Sequence, residues 1–183
     1  MRHGRPDIDE SSAMPSTAFP TWLDAYREAP LVAGTPPEDS RAITRRASVI
    51  VCSDLRRSIE STHRLMPERS PEIDSLFAEM SMPWGRVPLL RLSPRAWATL
   101  FRLAWLAGYA RNAEENRSQG RIRAERAADR LIQMAEEQGG TVLFVGHGVF
   151  NRFVAAALRR KGWQGPADPG RKHWSYAKYQ RRV

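Results

Sequence analysis

The sequence predicts a single α/β domain over residues 1–183, built on a mostly parallel sheet. Three observations carry this. The runs Val49–Cys52 and Thr141–Val145 are short, apolar and rich in β-branched residues, as strands buried on both faces must be. Each run is followed at once by polar residues and then by a helical pattern, the strand-then-helix order of a parallel sheet. The length, with 42% hydrophobic and 27% charged residues, suits one core of ordinary size.

Residues 6–19 mix Ser, Pro and acidic residues without periodicity and read as a loop. Thr21–Glu28 reads as a helix, with Trp22, Leu23 and Tyr26 on one side. After the Gly/Pro-containing stretch Pro30–Ser40, Asp39 or Ser40 is placed to cap a short helix through Arg46. Behind the strand Val49–Cys52, Ser53 is the expected cap of a helix to Leu65, stopped by Pro67. Ile73–Glu79 reads as a short strand, and Met80–Pro88 as irregular. Ser93-Pro94 opens an apolar helix through Tyr109, with serine as cap and proline in the first turn. Glu115–Gln138 reads as a long helix ended by Gly139-Gly140. A last helix spans Val149–Lys161, and His173–Gln180 alternates weakly, as an edge strand does.

Composition narrows the function. The formal net charge of +9, concentrated in the last quarter, asks for an anionic partner. Nucleic acid is the less favoured one, because no aromatic-interleaved basic motif accompanies the charge. The longest apolar stretch, residues 96–109, contains Arg102 and is too short to cross a bilayer. The first twenty residues hold no apolar signal-peptide core. The single cysteine, Cys52, closes an apolar strand; it reads as a buried structural thiol and fits the reducing cytoplasm.

Chemistry-bearing residues fall at three separate places: Arg2-His3-Gly4, Ser53-Asp54-Leu55-Arg56-Arg57 and Gly146-His147-Gly148. The second and third follow predicted strands, and in parallel sheets ligands bind beyond the carboxyl ends of strands. Arginine is the residue best suited to hold a phosphate dianion, since its guanidinium is always charged and forks onto two oxygens. Arg56 and Arg57 point about 100° apart on a helix, so only one of them can face such a site. No Asp/Glu/His group shows metal-ligand spacing, so neither a metal nor another cofactor is called for. Trp84, Trp97 and Trp105 read first as core and second as a substrate entrance. His63 and His173 carry no motif and read as surface or packing residues. Asn151 and Arg152 sit where they would reach the rim of the site.

The three motifs, in this order, resemble the histidine phosphatase superfamily, also called phosphoglycerate mutase-like; the stretch Leu76–Pro83 and the Trp97–Tyr109 helix look like an unassigned bacterial subgroup of it. The resemblance covers nearly the whole chain. It implies a three-layer α/β/α sandwich and phosphoryl transfer through a phosphohistidine on a small phosphorylated substrate. It matches His3 to the nucleophile, Arg2, Arg57 and His147, with Gly148 beside it, to the phosphate pocket, and Glu79 to the proton donor. His147, protonated, would add a third cation around the phosphoryl oxygens. The alternative is a non-catalytic member that binds phosphate or nucleic acid, and a mutase sharing the intermediate is also conceivable.

One departure stands out. Members of the family carry a strand just before Arg-His-Gly, and here only Met1 precedes Arg2. The first strand is therefore expected to be missing or truncated. That would leave an apolar gap beside its neighbour and put His3 on a fraying terminus. An upstream start, restoring an apolar segment, is expected to raise both melting temperature and activity.

Overall fold

The computed structural model describes residues 1–181. Three parallel strands form the centre, in the order β3 (Glu72–Ile73), β2 (Val49–Cys52), β5 (Val142–Val145). β2 pairs with β5 along its full length, Val49 opposite Val142 and Cys52 opposite Val145. The alternation of side chains sorts this sheet into two faces. Ile50, Cys52, Leu143 and Val145 pack with Ala47, Leu65 and Met66 under α2 (Glu38–Thr44) and α3 (Arg56–Leu65). Val51 and Phe144 face Ala124, Leu131, Val154 and Leu158 of α5 (Arg117–Glu137) and α6 (Gly148–Arg160). This is the α/β/α layering that was expected, with Cys52 fully buried and its thiol pushed up to about 11 by that burial.

A smaller apolar cluster joins α1 (Phe19–Glu28) to α4 (Pro94–Leu106) through Phe19, Trp97 and Phe101. It is closed by a two-stranded antiparallel ladder of β1 (Met14–Pro15) and β4 (Arg91–Leu92). Trp97 and Trp105 are wholly buried, so their core reading holds.

Several boundaries differ from the expected ones for identifiable reasons. Residues 6–19 are not all loop: they contain β1 and a 3₁₀ turn at Ser16–Ala18. The strand expected over 73–79 shrinks to Glu72–Ile73, because Asp74 accepts a hydrogen bond from Leu76 N (2.8 Å) and starts a 3₁₀ turn, Ser75–Phe77. Ser53 does not cap α3. That helix begins three residues later, after Leu55, and the Ser53 hydroxyl is used elsewhere. Ser93 does cap α4, accepting from Ala96 N at 3.3 Å. α5 has a cap the sequence reading overlooked: Asn116 and Gln119 bond each other's backbone N–H reciprocally. His173–Gln180 forms no strand; its only ladder element is a bridge between Gln164 and Gln180.

The start of the chain is held where a fraying end was expected. Gly146 N donates to Met1 O (2.9 Å) and His3 N donates to Gly146 O (3.0 Å), which is parallel pairing onto the end of β5. On the other side, Arg2 N donates to Ser175 O and Trp174 N donates to Arg2 O. Met1 is buried, and His3 is only 2% exposed. Beside Thr141–Phe144 lies a cavity of about 470 Å³, lined in part by Leu131, Val154, Leu158 and Trp163. Among the described residues no helix is long and apolar enough to cross a membrane.

Candidate active site

The carboxyl ends of β2 and β5 and the segment Met1–Gly4 meet at one end of a cleft of about 1010 Å³. Arg2, His3, Arg57 and Glu79 all line it. His147 lies directly behind His3, with ring centroids 5.1 Å apart. Residues remote in sequence thus converge, and the reason is the topology: parallel strands deliver their exits to the same edge.

His3 is fixed at both ring nitrogens. Its Nδ1 lies 2.6 Å from the Gly4 carbonyl, which can only accept, so the proton sits on Nδ1 and the lone pair on Nε2. Burial, followed by the positive charge of Arg57, holds the ring well below its ordinary pKa, so it is neutral. Arg57 Nε donates to that Nε2 lone pair at 3.3 Å. Arg57 is itself 3% exposed, lies over the Tyr26 ring at 4.9 Å, and leaves Nη1 with no hydrogen-bond partner. Arg56 points the other way and donates to Glu28 O. Of the two neighbouring arginines, Arg57 is therefore the one that faces the cleft.

His147 differs from the expected imidazolium. Its Nε2 is 2.7 Å from the Ser53 hydroxyl, and Leu55 N already donates to that oxygen. The Ser53 proton is then free to go to Nε2, which leaves the proton of His147 on Nδ1. That Nδ1 is buried and without a partner. Burial, and then Arg57, keep the ring well below its ordinary pKa. His147 is a neutral donor in this state, not a cation. Gly148 packs under Arg2: a Cβ there would sit 3.5 Å from the guanidinium carbon. Arg2 touches the Arg171 carbonyl through Nη1 and leaves Nε unpaired.

Glu79 caps α6. Oε1 accepts from Met80 N and Phe150 N, both at 2.9 Å, while Oε2 accepts only a longer bond, 3.3 Å, from Val149 N. The N-terminus of α6 is thus partly taken up by this carboxylate.

Sequence reading missed several neighbours. Ser61 donates to Arg57 O (2.5 Å) and accepts from Gly4 N (2.8 Å), tying two motifs together. His173, read as surface or packing, lies 5.3 Å from the His3 ring and its Nδ1 is 3.1 Å from the His3 carbonyl. Burial lowers its pKa to about 4. Tyr26, Trp22 and Leu23 do form one side of α1, and that side is a wall of the cleft. Ser53 belongs to the Ser53–Arg57 motif, whereas nothing in the spacing marks His173. Asn151 turns inward, donating to Met1 O and accepting from His147 N, whereas Arg152 does reach the cleft. His63 is exposed. Trp84, Trp97 and Trp105 do not line the cleft. Among the described residues no group of three or more His, Cys, Asp or Glu is placed to hold a metal ion.

Two arginines and one imidazole thus line a cleft at the strand exits of an α/β/α sandwich, with a second imidazole behind the first. Residues 40–179 match the histidine phosphatase superfamily (branch 1), and the chain belongs to that superfamily. Its fold is similar to that of mycobacterial glucosyl-3-phosphoglycerate phosphatase, with a TM-score of 0.55 and 20% identity over 87% of this chain and 77% of that one. It is similar also to a functionally characterised open reading frame product from Mycobacterium tuberculosis, with a TM-score of 0.57 and 19% identity over 97% and 92% of the two chains. A third likeness is to phosphoglycerate mutase from Bacillus anthracis, with a TM-score of 0.53 and 15% identity over 99% and 89%. No curated protein matches the sequence.

Proposed function

We propose that the protein is a metal-independent phosphomonoesterase that hydrolyses a small phosphorylated metabolite in the cytoplasm through a phosphohistidine at His3. The observation that carries this reading is Arg57. It is a buried guanidinium with an unbonded N–H, no carboxylate partner among the described residues, and a bond to the lone pair of a neutral imidazole. A buried cation of that kind is costly unless an anion joins it.

In the first step the phosphoryl oxygens draw Arg57 off His3 Nε2 and onto themselves, with Arg2 and the Nδ1–H of His147 as further donors. The freed lone pair attacks phosphorus, the bond to the ester oxygen breaks, and that oxygen takes a proton from Glu79. Oε2, the less engaged oxygen, is the one suited to carry it. In the second step Glu79, now a carboxylate, removes a proton from water. The resulting oxygen attacks phosphorus and the N–P electron pair returns to Nε2. The Gly4 carbonyl keeps the Nδ1 proton in place throughout, so Nε2 alone acts as nucleophile.

The binding-only alternative rests on the basic last quarter and the absent first strand; the buried, doubly bonded His3 supports the hydrolytic reading over it. The test is hydrolysis of p-nitrophenyl phosphate in EDTA, with acid quenching to trap an acid-labile, base-stable phosphoprotein. His3→Ala is expected to abolish both turnover and label. Equal turnover in the variant would overturn the mechanism.

A further inference from the structure

Arg57 is recognisable as an anion site by four features: withdrawal from water, no carboxylate within 4 Å among the described residues, an N–H left unbonded, and a place on the cleft wall. A second arginine in the same cleft has the last three and is half-buried. Arg102, on α4, donates from Nη1 to Ser81 O and from Nη2 to Met80 O, both at 2.8 Å, and packs 5.1 Å from the Trp105 ring. Its Nε is buried and has no partner. Burial pushes its pKa down, in spite of Glu79 and Glu115 nearby.

Those two acids are committed elsewhere. Glu115 is held by Arg123 at 2.5 Å, and Glu79 by three backbone N–H groups. Two carbonyl dipoles do not neutralise a guanidinium, so its charge is left uncompensated at the cleft wall. Arg95 lies two turns earlier on the same helix face, about 10 Å along the axis. It also lines the cleft, and no carboxylate pairs with it among the described residues. The wall from α1 presents Trp22, Leu23 and Tyr26, with Arg27 paired to Glu114.

We propose that Arg102, with Arg95 beside it, forms a second anion subsite, and that the substrate is a phosphomonoester whose leaving group carries another oxyanion, a carboxylate or a second phosphate. The assignment rests on the phosphatase reading for the word substrate, but not for the subsite itself. A charge-assisted hydrogen bond gained at Arg102 corresponds to about a tenfold preference.

Two assays test it. In the first, kcat/KM is compared for phenyl phosphate and for meta- and para-carboxyphenyl phosphate. The wild type is expected to favour a carboxylated ester about tenfold. Arg102→Gln is expected to bring the ratio to about one, and Arg102→Lys to keep part of it. In the second, calorimetry compares propylphosphonate with propylene bisphosphonate, which needs no turnover. The wild type is expected to bind the bisphosphonate more tightly and Arg102→Gln to lose that difference.

No preference in either wild-type assay overturns the subsite, as does a ratio unchanged in Arg102→Gln; the latter would show Arg102 to be only a clamp on Met80 and Ser81. Should Arg102→Gln fail to fold, Arg102→Lys and the wild-type preferences decide. Absence of any hydrolysis combined with an Arg102-dependent bisphosphonate preference would sink the phosphatase reading and leave the subsite standing. The carboxylated esters and the bisphosphonate separate the two oxyanion sources.

Discussion

Acidification is expected to destabilise this protein before its carboxylates titrate. His3 and His147 are fully buried and neutral, both held well below the ordinary imidazole value. In the unfolded chain each takes up a proton around pH 6.5. The sign follows from the linkage: between pH 6 and pH 5 the unfolded state binds nearly two protons that the folded state refuses, so stability falls as pH falls. With occupancies of about 0.8 rising to nearly 1 per histidine, the loss is about 2–3 kcal/mol over that unit. His173 and the buried Met1 amine, lowered to about 5, work in the same direction and add to that figure, the share of His173 being reduced by solvent screening. The lowered carboxylates of Glu38 and Asp168 also destabilise on acidification, but only at lower pH, below about 4. Urea denaturation at several values from pH 7 to pH 5 measures the slope. His147→Asn, which removes one of these sites, is expected to lower it by about a third. A stability that is flat from pH 7 to pH 5, or a slope that His147→Asn leaves intact, would refute the neutral, buried assignment of the pair.

Three further outcomes follow from the site. Gly4→Ala places a Cβ 2.3 Å from Trp174 Cζ2 and 2.9 Å from Leu31 Cδ1; thermal melting is expected to show a loss of about 1–3 kcal/mol from this overpacking. Ser53→Ala leaves His147 Nε2 without its donor in a buried setting, at a cost of about 1–3 kcal/mol in denaturation, and it is expected to lower kcat more than KM. Glu79→Gln cannot give up a proton, so phenyl phosphate, with the poorer leaving group, is expected to lose more activity than p-nitrophenyl phosphate; equal losses would exclude Glu79 as the donor.

Much of the layer architecture was legible because it depends on local pattern. Val49–Cys52 and Val142–Val145 are continuous apolar strands in the sequence, and the sheet buries them on both faces. α4 was announced by Ser93-Pro94 and its cap formed as expected. What stayed hidden depends on long-range pairing. Ser53 has the chemistry of a cap, and only the approach of His147, ninety-four positions away, shows its hydroxyl engaged elsewhere. Met1–His3 was too short to read as a strand by itself; the end of β5 gives it the partner that orders it. Arg102 looked like an interruption in an apolar helix, and nothing local says that it turns toward the same cleft as Arg57.

The grip of Arg171–Ser175 on Arg2–Gly4 has a consequence for how the molecule matures. Arg2 reaches the Arg171 carbonyl, His173 meets the His3 carbonyl, and the Trp174 indole packs against Gly4 across some 170 positions. His3 and the segment that braces it are thus 170 positions apart in sequence, and the brace forms only when this long loop closes. Such closure makes the order of this part of the cleft a late, cooperative event in folding, lost as a whole when the Arg171–Ser175 stretch lets go.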